Sequence, residues 1–226
     1  MLENLKIINA EMETASPEEI LTWAEETFGD QLVVSSSFQT QSVPLLHKIS
    51  LAAPKLPVLF VDTGFHFPET LKFRDQLVDL FNLNLVVVQP VIVGKAFEQK
   101  FGPLYEHNPD VCCFHNKIIP LELTLKKFDA WVTGIRRDQT AARGNVPVVG
   151  RHPGLEMIKI MPMARWSSAE IDCYIDDHAL PRHPLWERGF RSVGCQPCTV
   201  AVEPNQFDRD GRWPQRGKQE CGVHSV

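Results

Sequence analysis

Behind Ser16 the apolar residues Ile20, Leu21, Trp23, Ala24 and Phe28 recur at helical spacing, and Gly29 closes the run. Ser16 as cap, Pro17 in the first helical position and Glu19 completing a capping box predict an amphipathic packing helix. The pattern then changes. Residues 31–35 form a short apolar run that predicts a buried strand. It passes through Ser35-Ser36-Ser37-Phe38-Gln39-Thr40-Gln41-Ser42 into a helical pattern carrying Leu45, Leu46 and Ile49. Residues 56–61 predict a second buried strand ending at Asp62-Thr63-Gly64. Pro68 opens a helix over 69–81, and residues 83–89 predict a third strand. Residues 130–134 predict a fourth strand and residues 158–160 a fifth, and Ser167 or Ser168 caps a helix carrying Ile171, Tyr174 and Ile175. Strands alternating with helices imply an α/β fold with a parallel sheet and right-handed crossovers, whose ligands bind beyond the carboxyl ends of the strands. The serine turn, Asp62-Thr63-Gly64 and the cluster Arg136, Arg137, Asp138, Gln139 and Arg143 all fall at that edge.

After Leu180-Pro181 the periodicity fades into prolines, glycines and aromatics. The chain therefore divides into an α/β body, residues 1–180, and a segment, residues 181–226, that needs something other than a core to order it. At 226 residues, 43% hydrophobic and 23% charged, the chain is long enough for one sizeable core. A formal net charge of −5 argues against a surface built for nucleic acid and leaves room for a local basic pocket suited to a small anion. The start, Met1-Leu2-Glu3-Asn4-Leu5-Lys6, lacks a basic region followed by a long apolar run, and no stretch approaches a membrane span, so a cytoplasmic protein is expected. In that compartment six cysteines point to metal binding or catalysis rather than to a disulfide framework.

Cys112-Cys113 opens one helical pattern, and Cys195-Gln196-Pro197-Cys198 lies in the poorly periodic segment. Two such pairs suit either Zn(II) or an iron–sulfur cluster, with unrelated buried thiols as the third reading. Adjacent cysteines point about 100° apart on a helix, which reaches two irons of a larger cluster more readily than one tetrahedral ion. Cys173 reads as a small core hydrophobe. Cys221 stands apart in Glu220-Cys221-Gly222-Val223-His224, behind Arg209, Arg212, Arg216 and Lys218. Cationic neighbours and a mobile terminal segment are what a nucleophilic thiolate requires, against the plainer reading of an incidental thiol on a frayed tail. The serine turn reads as an anion cradle at a strand-to-helix junction or as a Ser-rich helix cap. Arg136, Arg137 and Arg143 read as an anion clamp or a solvated loop.

Taken in order, six stretches resemble one family, the assimilatory adenylyl-sulfate and phosphoadenylyl-sulfate reductases, an offshoot of the adenine-nucleotide alpha-hydrolase fold. They are Ser35-Ser36-Ser37-Phe38; Val61-Asp62-Thr63-Gly64-Phe65 with Phe67-Pro68-Glu69-Thr70; Thr133-Gly134-Ile135-Arg136-Arg137-Asp138-Gln139; Leu180-Pro181 with Gly194-Cys195-Gln196-Pro197-Cys198-Thr199; Gly211-Arg212-Trp213; and Glu220-Cys221-Gly222-Val223-His224. The resemblance spans nearly the whole chain. It implies a nucleotide-binding body over residues 1–180 and a cluster-binding segment with a catalytic tail over 181–226. It further implies a [4Fe–4S] cluster on Cys112, Cys113, Cys195 and Cys198, and Cys221 as nucleophile with His224 as its tuner. Substrate contacts are implied at Ser35, Ser36, Ser37, Asp62, Thr63, Gly64, Lys117, Arg137, Arg143, Arg209 and Arg212. The implied reaction converts adenylyl sulfate to sulfite and AMP through a cysteine S-sulfonate, with thioredoxin or glutaredoxin as reductant and with room for a homo-oligomer. A phosphoadenylyl-sulfate or dual-specificity enzyme is the near alternative. An ATP-dependent thiolating or adenylating enzyme of the same fold is the remote one. The chain departs from the pattern at Gln39, where relatives that keep phenylalanine follow it with glycine, and at Asn116, where cluster-bearing members have arginine before the lysine.

Overall fold

The computed structural model describes residues 4–214, 216–218 and 220–224; Met1, Leu2 and Glu3 of the amino-terminal stretch lie outside the described residues. Helix α1 (Leu5–Met12) precedes the predicted packing helix α2 (Pro17–Phe28). The capping box of α2 forms as expected: the Ser16 hydroxyl accepts from the Glu19 amide at 3.2 Å, and the Glu19 carboxylate accepts from the Ser16 amide at 2.7 Å. Ile20 and Leu21 are fully buried, which is worth roughly 1.5–3 kcal/mol for each side chain. Helix α1 has no such signal, because it has no side-chain cap and buries no residue completely. A tertiary bond helps hold it, the Val149 amide donating to Asn9 Oδ1 at 2.9 Å.

Six strands form one sheet: β1 (Leu32–Ser35), β2 (Pro57–Val61), β3 (Asn84–Val88), β4 (Ala130–Thr133), β5 (Val149–Arg151) and β6 (Ile158–Ile160). Their order is β3-β2-β1-β4-β6-β5, parallel throughout except for β5. The edge strand β5 is three residues long and was not legible as a strand. Side chains alternate between two cores, as a period of two demands. Leu32, Val34, Val58, Phe60, Ala130 and Val132 face one, and Val33, Leu59 and Trp131 face the other. Both faces are covered, so the strands read as unbroken apolar runs. The chain steps from β1 outward to β3 and returns on the opposite side of β1 at β4. The switch point therefore lies between the carboxyl ends of β1 and β4.

Helices α3 (Val43–Ala52), α4 (Pro68–Phe81) and α9 (Ser168–Asp177) join α2 around the first core. On α9 the inward positions are Ile171 and Ile175. Cys173, two residues from either, is exposed, and its thiol donates to Asp177 at 3.2 Å, so the expectation of a core cysteine is corrected. Between β3 and β4 run α5 (Lys95–Phe101), α6 (Leu104–His107), α7 (Pro109–Cys113) and α8 (Ile119–Leu125). A π turn, Phe114–Ile118, separates α7 from α8. Pro120 offers no N–H to the Asn116 carbonyl and its ring crowds that position, so the helix widens there.

Beyond Leu180 the described residues form two single 3₁₀ turns, Trp186–Arg188 and Gln196–Cys198, and a bridge between Thr199 and Arg212. This segment is stitched to the body by a bridge between His66 and Cys195 and by the Gln196 amide donating to the Phe65 carbonyl at 2.7 Å. No described helix is long and apolar enough to cross a membrane. Gly64 makes the loop after β2 possible: its φ is +72°, and a Cβ would stand 2.7 Å from the Gly94 backbone. Gly64→Ala is expected to cost about 2–4 kcal/mol, the sum of left-handed strain and a backbone collision, read as a lowered midpoint in chemical denaturation.

Candidate active site

The serine turn closes the carboxyl end of β1 at the switch point. Trp131 Nε1 donates to Ser35 Oγ at 2.9 Å, the Phe38 amide donates to Ser36 Oγ at 3.1 Å, and Ser37 and Ser42 share a hydroxyl pair at 3.2 Å. Phe38 takes φ +50° and is fully buried, edge-on to Phe60 at 5.6 Å, so its ring anchors the turn. Ser42 makes no cap bond to α3, which removes the reading of a helix cap. Gln39 is accommodated in extended backbone, with Oε1 accepting from the Val193 amide at 2.8 Å. The departure at position 39 thus ties the turn to the carboxyl-terminal segment. Ser35, Ser36 and Ser37 line one pocket together with Cys221.

A second, smaller cavity is lined by Cys112, Cys113, Cys195 and Cys198, all buried and none in a disulfide. Thr63 Oγ1 lies 3.3 Å from Cys195 Sγ, and Asn116 Nδ2 donates to the Cys112 carbonyl at 3.0 Å. Burial pushes the Cys112 thiol up to about 12, with the other three sulfurs adding to it, and the Cys113 thiol up to about 11 despite Lys117. Among the described residues no three His, Cys, Asp or Glu side chains stand at the spacing of a single metal ion. A tetrahedral zinc thiolate site would hold its sulfurs about 3.8 Å apart, given Zn–S bonds of about 2.3 Å. Four thiols lining one cavity are the soft donors that a zinc ion or an iron–sulfur group takes.

Lys117 lines both cavities. Burial alone would depress its ammonium, but the sulfurs of Cys195, Cys113 and Cys221 outweigh that and hold its pKa above the usual lysine value. Arg143, Arg209 and Arg212 complete the cationic wall of the first pocket. Arg137 does not: it reaches away to Glu13 at 2.5 Å and to the Val146 carbonyl at 2.9 Å, holding the Glu13 carboxyl below its usual range. Asp62, Thr63 and Gly64 do not line the serine pocket. Asp62 accepts from the Gly64 amide at 2.9 Å and from Gln89 at 3.2 Å, Thr63 turns to Cys195, and Gly64 packs on Gly94. The turn after β2 shapes the cysteine cavity instead.

The tail lies docked across the pocket. Arg216 donates to the Tyr105 carbonyl and Lys218 pairs with Asp110, tying it to the cysteine-bearing insertion. Cys221 is partly buried against Cys113, Cys195, Cys198 and Trp213. Val223 packs on the second core. His224 stacks on Trp131 with centroids 5.3 Å apart and planes at 19°. Its pKa lies well below 6.5 because it is buried, with Lys159, Arg143 and Arg209 reinforcing the shift. A neutral ring offers no cation to the thiol, so in this arrangement His224 anchors the tail. Glu220, Thr140 and Lys159 were not singled out from the sequence. Glu220 pairs with Arg143 and Arg209, and Lys159 is 3% exposed with its ammonium 5.4 Å from the Trp131 ring centroid. A lysine in the middle of a buried strand was the signal for the last of these.

The family model for the phosphoadenosine phosphosulfate reductase domain matches residues 31–201. An adenosine 5′-phosphosulfate reductase from Streptomyces coelicolor is 41% identical over 215 residues, 95% of this chain and 90% of the relative. A phosphoadenosine 5′-phosphosulfate reductase from Gloeobacter violaceus is 38% identical over 225 residues, 98% of this chain and 93% of the relative. Among solved structures, phosphoadenylyl-sulfate reductase from Candida auris in a phosphate complex superposes with a TM-score of 0.78 at 29% identity, covering 88% of this chain and 98% of that one. FMN adenylyltransferase from Candida glabrata, at 14% identity and a TM-score of 0.58 over 88% of this chain and 71% of that one, shares the fold.

The buried His224 links tail docking to pH. The undocked ring titrates near 6.5 and the docked ring well below it, so the contribution to docking is complete above about 6.5 and falls as pH drops, by up to about 1.4 kcal/mol per unit. Hydrogen exchange of residues 220–224, corrected for intrinsic rate, is expected to accelerate from pH 7 to pH 5.5, and His224→Phe, which keeps the stack, is expected to flatten that dependence.

Proposed function

The chain belongs to the phosphoadenosine phosphosulfate reductase family, and from that premise we propose that it reduces adenylyl sulfate to sulfite and AMP. The observation that carries the reading is one pocket at the sheet's switch point that gathers the serine turn, the Cys221 thiol and the cations Lys117, Arg143, Arg209 and Arg212. The Cys221 thiolate attacks the sulfur of the phosphosulfate anhydride. The sulfur–oxygen bond to the phosphate breaks, its electron pair leaves on AMP, and Cys221 retains an S-sulfonate. The four cations neutralise the charge that gathers on the departing phosphate, in a site the docked tail shields from water. An external dithiol of the thioredoxin or glutaredoxin class then attacks Cys221 Sγ and expels sulfite. Its second thiol resolves the mixed disulfide, so the dithiol gives up two electrons and Cys221 returns as a thiolate.

Cys112, Cys113, Cys195 and Cys198 would hold a [4Fe–4S] cluster, for which the set of four soft donors around one cavity is suited. When bound, the cluster supplies a fixed electrostatic centre and a staple for the segment after Leu180. Lys117, on the wall between the two cavities, holds positive charge at the reacting end. Six free cysteines fit a cytoplasmic setting, where dithiol reductants keep thiols reduced. The four-cysteine set supports adenylyl sulfate as substrate. The name of the Gloeobacter relative favours phosphoadenylyl sulfate as the second reading.

Sulfite release with a dithiol reductant, measured for both nucleotides on anaerobically purified protein, is expected to favour adenylyl sulfate by at least about tenfold in kcat/KM. A preference for the 3′-phosphorylated nucleotide would transfer the assignment to the second reading. Cys221→Ser should keep the visible absorption of the cluster and lose sulfite release by at least about a thousandfold. Cys195→Ser should lose iron, and unchanged iron content would refute that ligand.

A further inference from the structure

Glu220, the residue before the nucleophile, has its carboxylate among the pocket's cations. Oε2 accepts from Arg143 Nη2 at 2.5 Å and from Arg209 Nη2 at 3.3 Å, and Oε1 accepts from Thr140 Oγ1 at 3.1 Å. Arg143 is 5% exposed, and its other terminal nitrogen is bound to Gln139. A guanidinium this deeply buried requires an anion beside it, and in the closed molecule the tail brings one. The same two arginines line the pocket with the serine turn and Cys221. An anionic group bound there would meet donors that the carboxylate already uses. The two anions repel each other and share one set of N–H groups.

We propose that Glu220 is an intramolecular competitor for the nucleotide's anionic group: it holds the Arg143–Arg209 clamp while the pocket is empty, yields it to the substrate's phosphosulfate, and by returning evicts AMP after the sulfur has moved to Cys221. The inference rests on the reading that this clamp receives the phosphosulfate. It accounts for the placement of carboxylate and thiol side by side. Consecutive Cα atoms stand about 3.8 Å apart, so an anhydride taking over the place of the carboxylate puts its sulfur within one residue's reach of Cys221 Sγ. It also gives the tail a cycle, closed on its own carboxylate without ligand and re-closed over the substrate through Val223 and His224, whose contacts with the second core and with Trp131 do not involve the clamp.

A scaffolding role for Glu220 and a competing role predict opposite signs. The test is AMP affinity by isothermal titration calorimetry on the cluster-loaded protein, wild type against Glu220→Gln, which keeps shape and removes charge. Competition predicts that Glu220→Gln binds AMP about tenfold more tightly, because the fraction of molecules with a vacant clamp rises. Thr140→Val, which removes one donor to the carboxylate and leaves both arginines, is expected to shift affinity the same way by a smaller factor. Unchanged or weakened AMP binding in Glu220→Gln overturns the proposal. Should that variant lose its cooperative melting transition, unchanged AMP binding in Thr140→Val overturns it instead. Sulfite release by the wild type keeps the two claims separable. A wild type inactive on both nucleotides removes the premise, whereas an active wild type with AMP affinity unmoved by Glu220→Gln removes only the competition.

Discussion

A buried patch of positive charge organises this molecule. Lys117, Arg143, Arg209 and Arg212 line the pocket at the carboxyl end of β1, and Lys159 on β6 lies within electrostatic reach of Arg143. Burial draws the Lys159 ammonium down to about 8 and lowers the Arg209 pKa. Arg136 is the contrast. It is 1% exposed, yet it is paired with Asp138 and bonded to Gln41, Ser168 and the Trp166 carbonyl, so it is complete within the body and locks the loop after β4 onto α9. Buried charges of this kind are offset by groups brought to them. Here the arriving groups are Glu220 on one side and the cysteine sulfurs on the other, and under the proposed reaction the nucleotide as well.

The tail is therefore an element of the fold as well as the carrier of a nucleophile. The second face of the sheet is covered by α8 around β3, but at Trp131 the described cover comes from His152, Val223 and His224. Trp131 is fully buried and also donates to Ser35, so one indole connects the anion-facing turn, the strand beside the switch point and the end of the tail. A nucleophile delivered this way is positioned by core packing, which a loose terminal segment would lack.

Much of this was legible in the sequence where local signals agree with tertiary demand. The capping box at Ser16, the apolar runs of β1, β2 and β4, and the order of motifs all reappear where they were read. Placements that sequence did not foresee arose where a residue's partner is distant along the chain. Arg137 looked like its neighbour Arg143, but Glu13, over a hundred residues away, claims it. Asp62, Thr63 and Gly64 lie at the ligand edge as expected, yet Thr63 turns to Cys195 while Asp62 is bonded within the turn and Gly64 packs on Gly94. Helix α1 and strand β5 are too short to show a period and exist because each packs on the other. Cys173 illustrates a limit of composition: cysteine is buried on average, but position on the helix decided the case.

The link between the two cavities traces to one proline. Pro120 forbids the helical bond to Asn116, and the π turn that results spans the residues between the cysteine pair and α8. Lys117 and Ile118 both lie in that turn. Lys117 borders both cavities, while Ile118 meets the tail at Gly222, where φ is +81° and a Cβ would stand 2.8 Å from Ile118 Cδ1. The same backbone irregularity therefore sets the charge between the sulfurs and the pocket and the surface on which the residue after Cys221 rests. An ideal helix through 109–125 would rotate Lys117 and Ile118 relative to the cysteines by a sizeable fraction of a turn, since each residue advances about 100°. The residue after the nucleophile and the lysine beside the cysteine pair thus both rest on one local cause, the widened turn before Pro120.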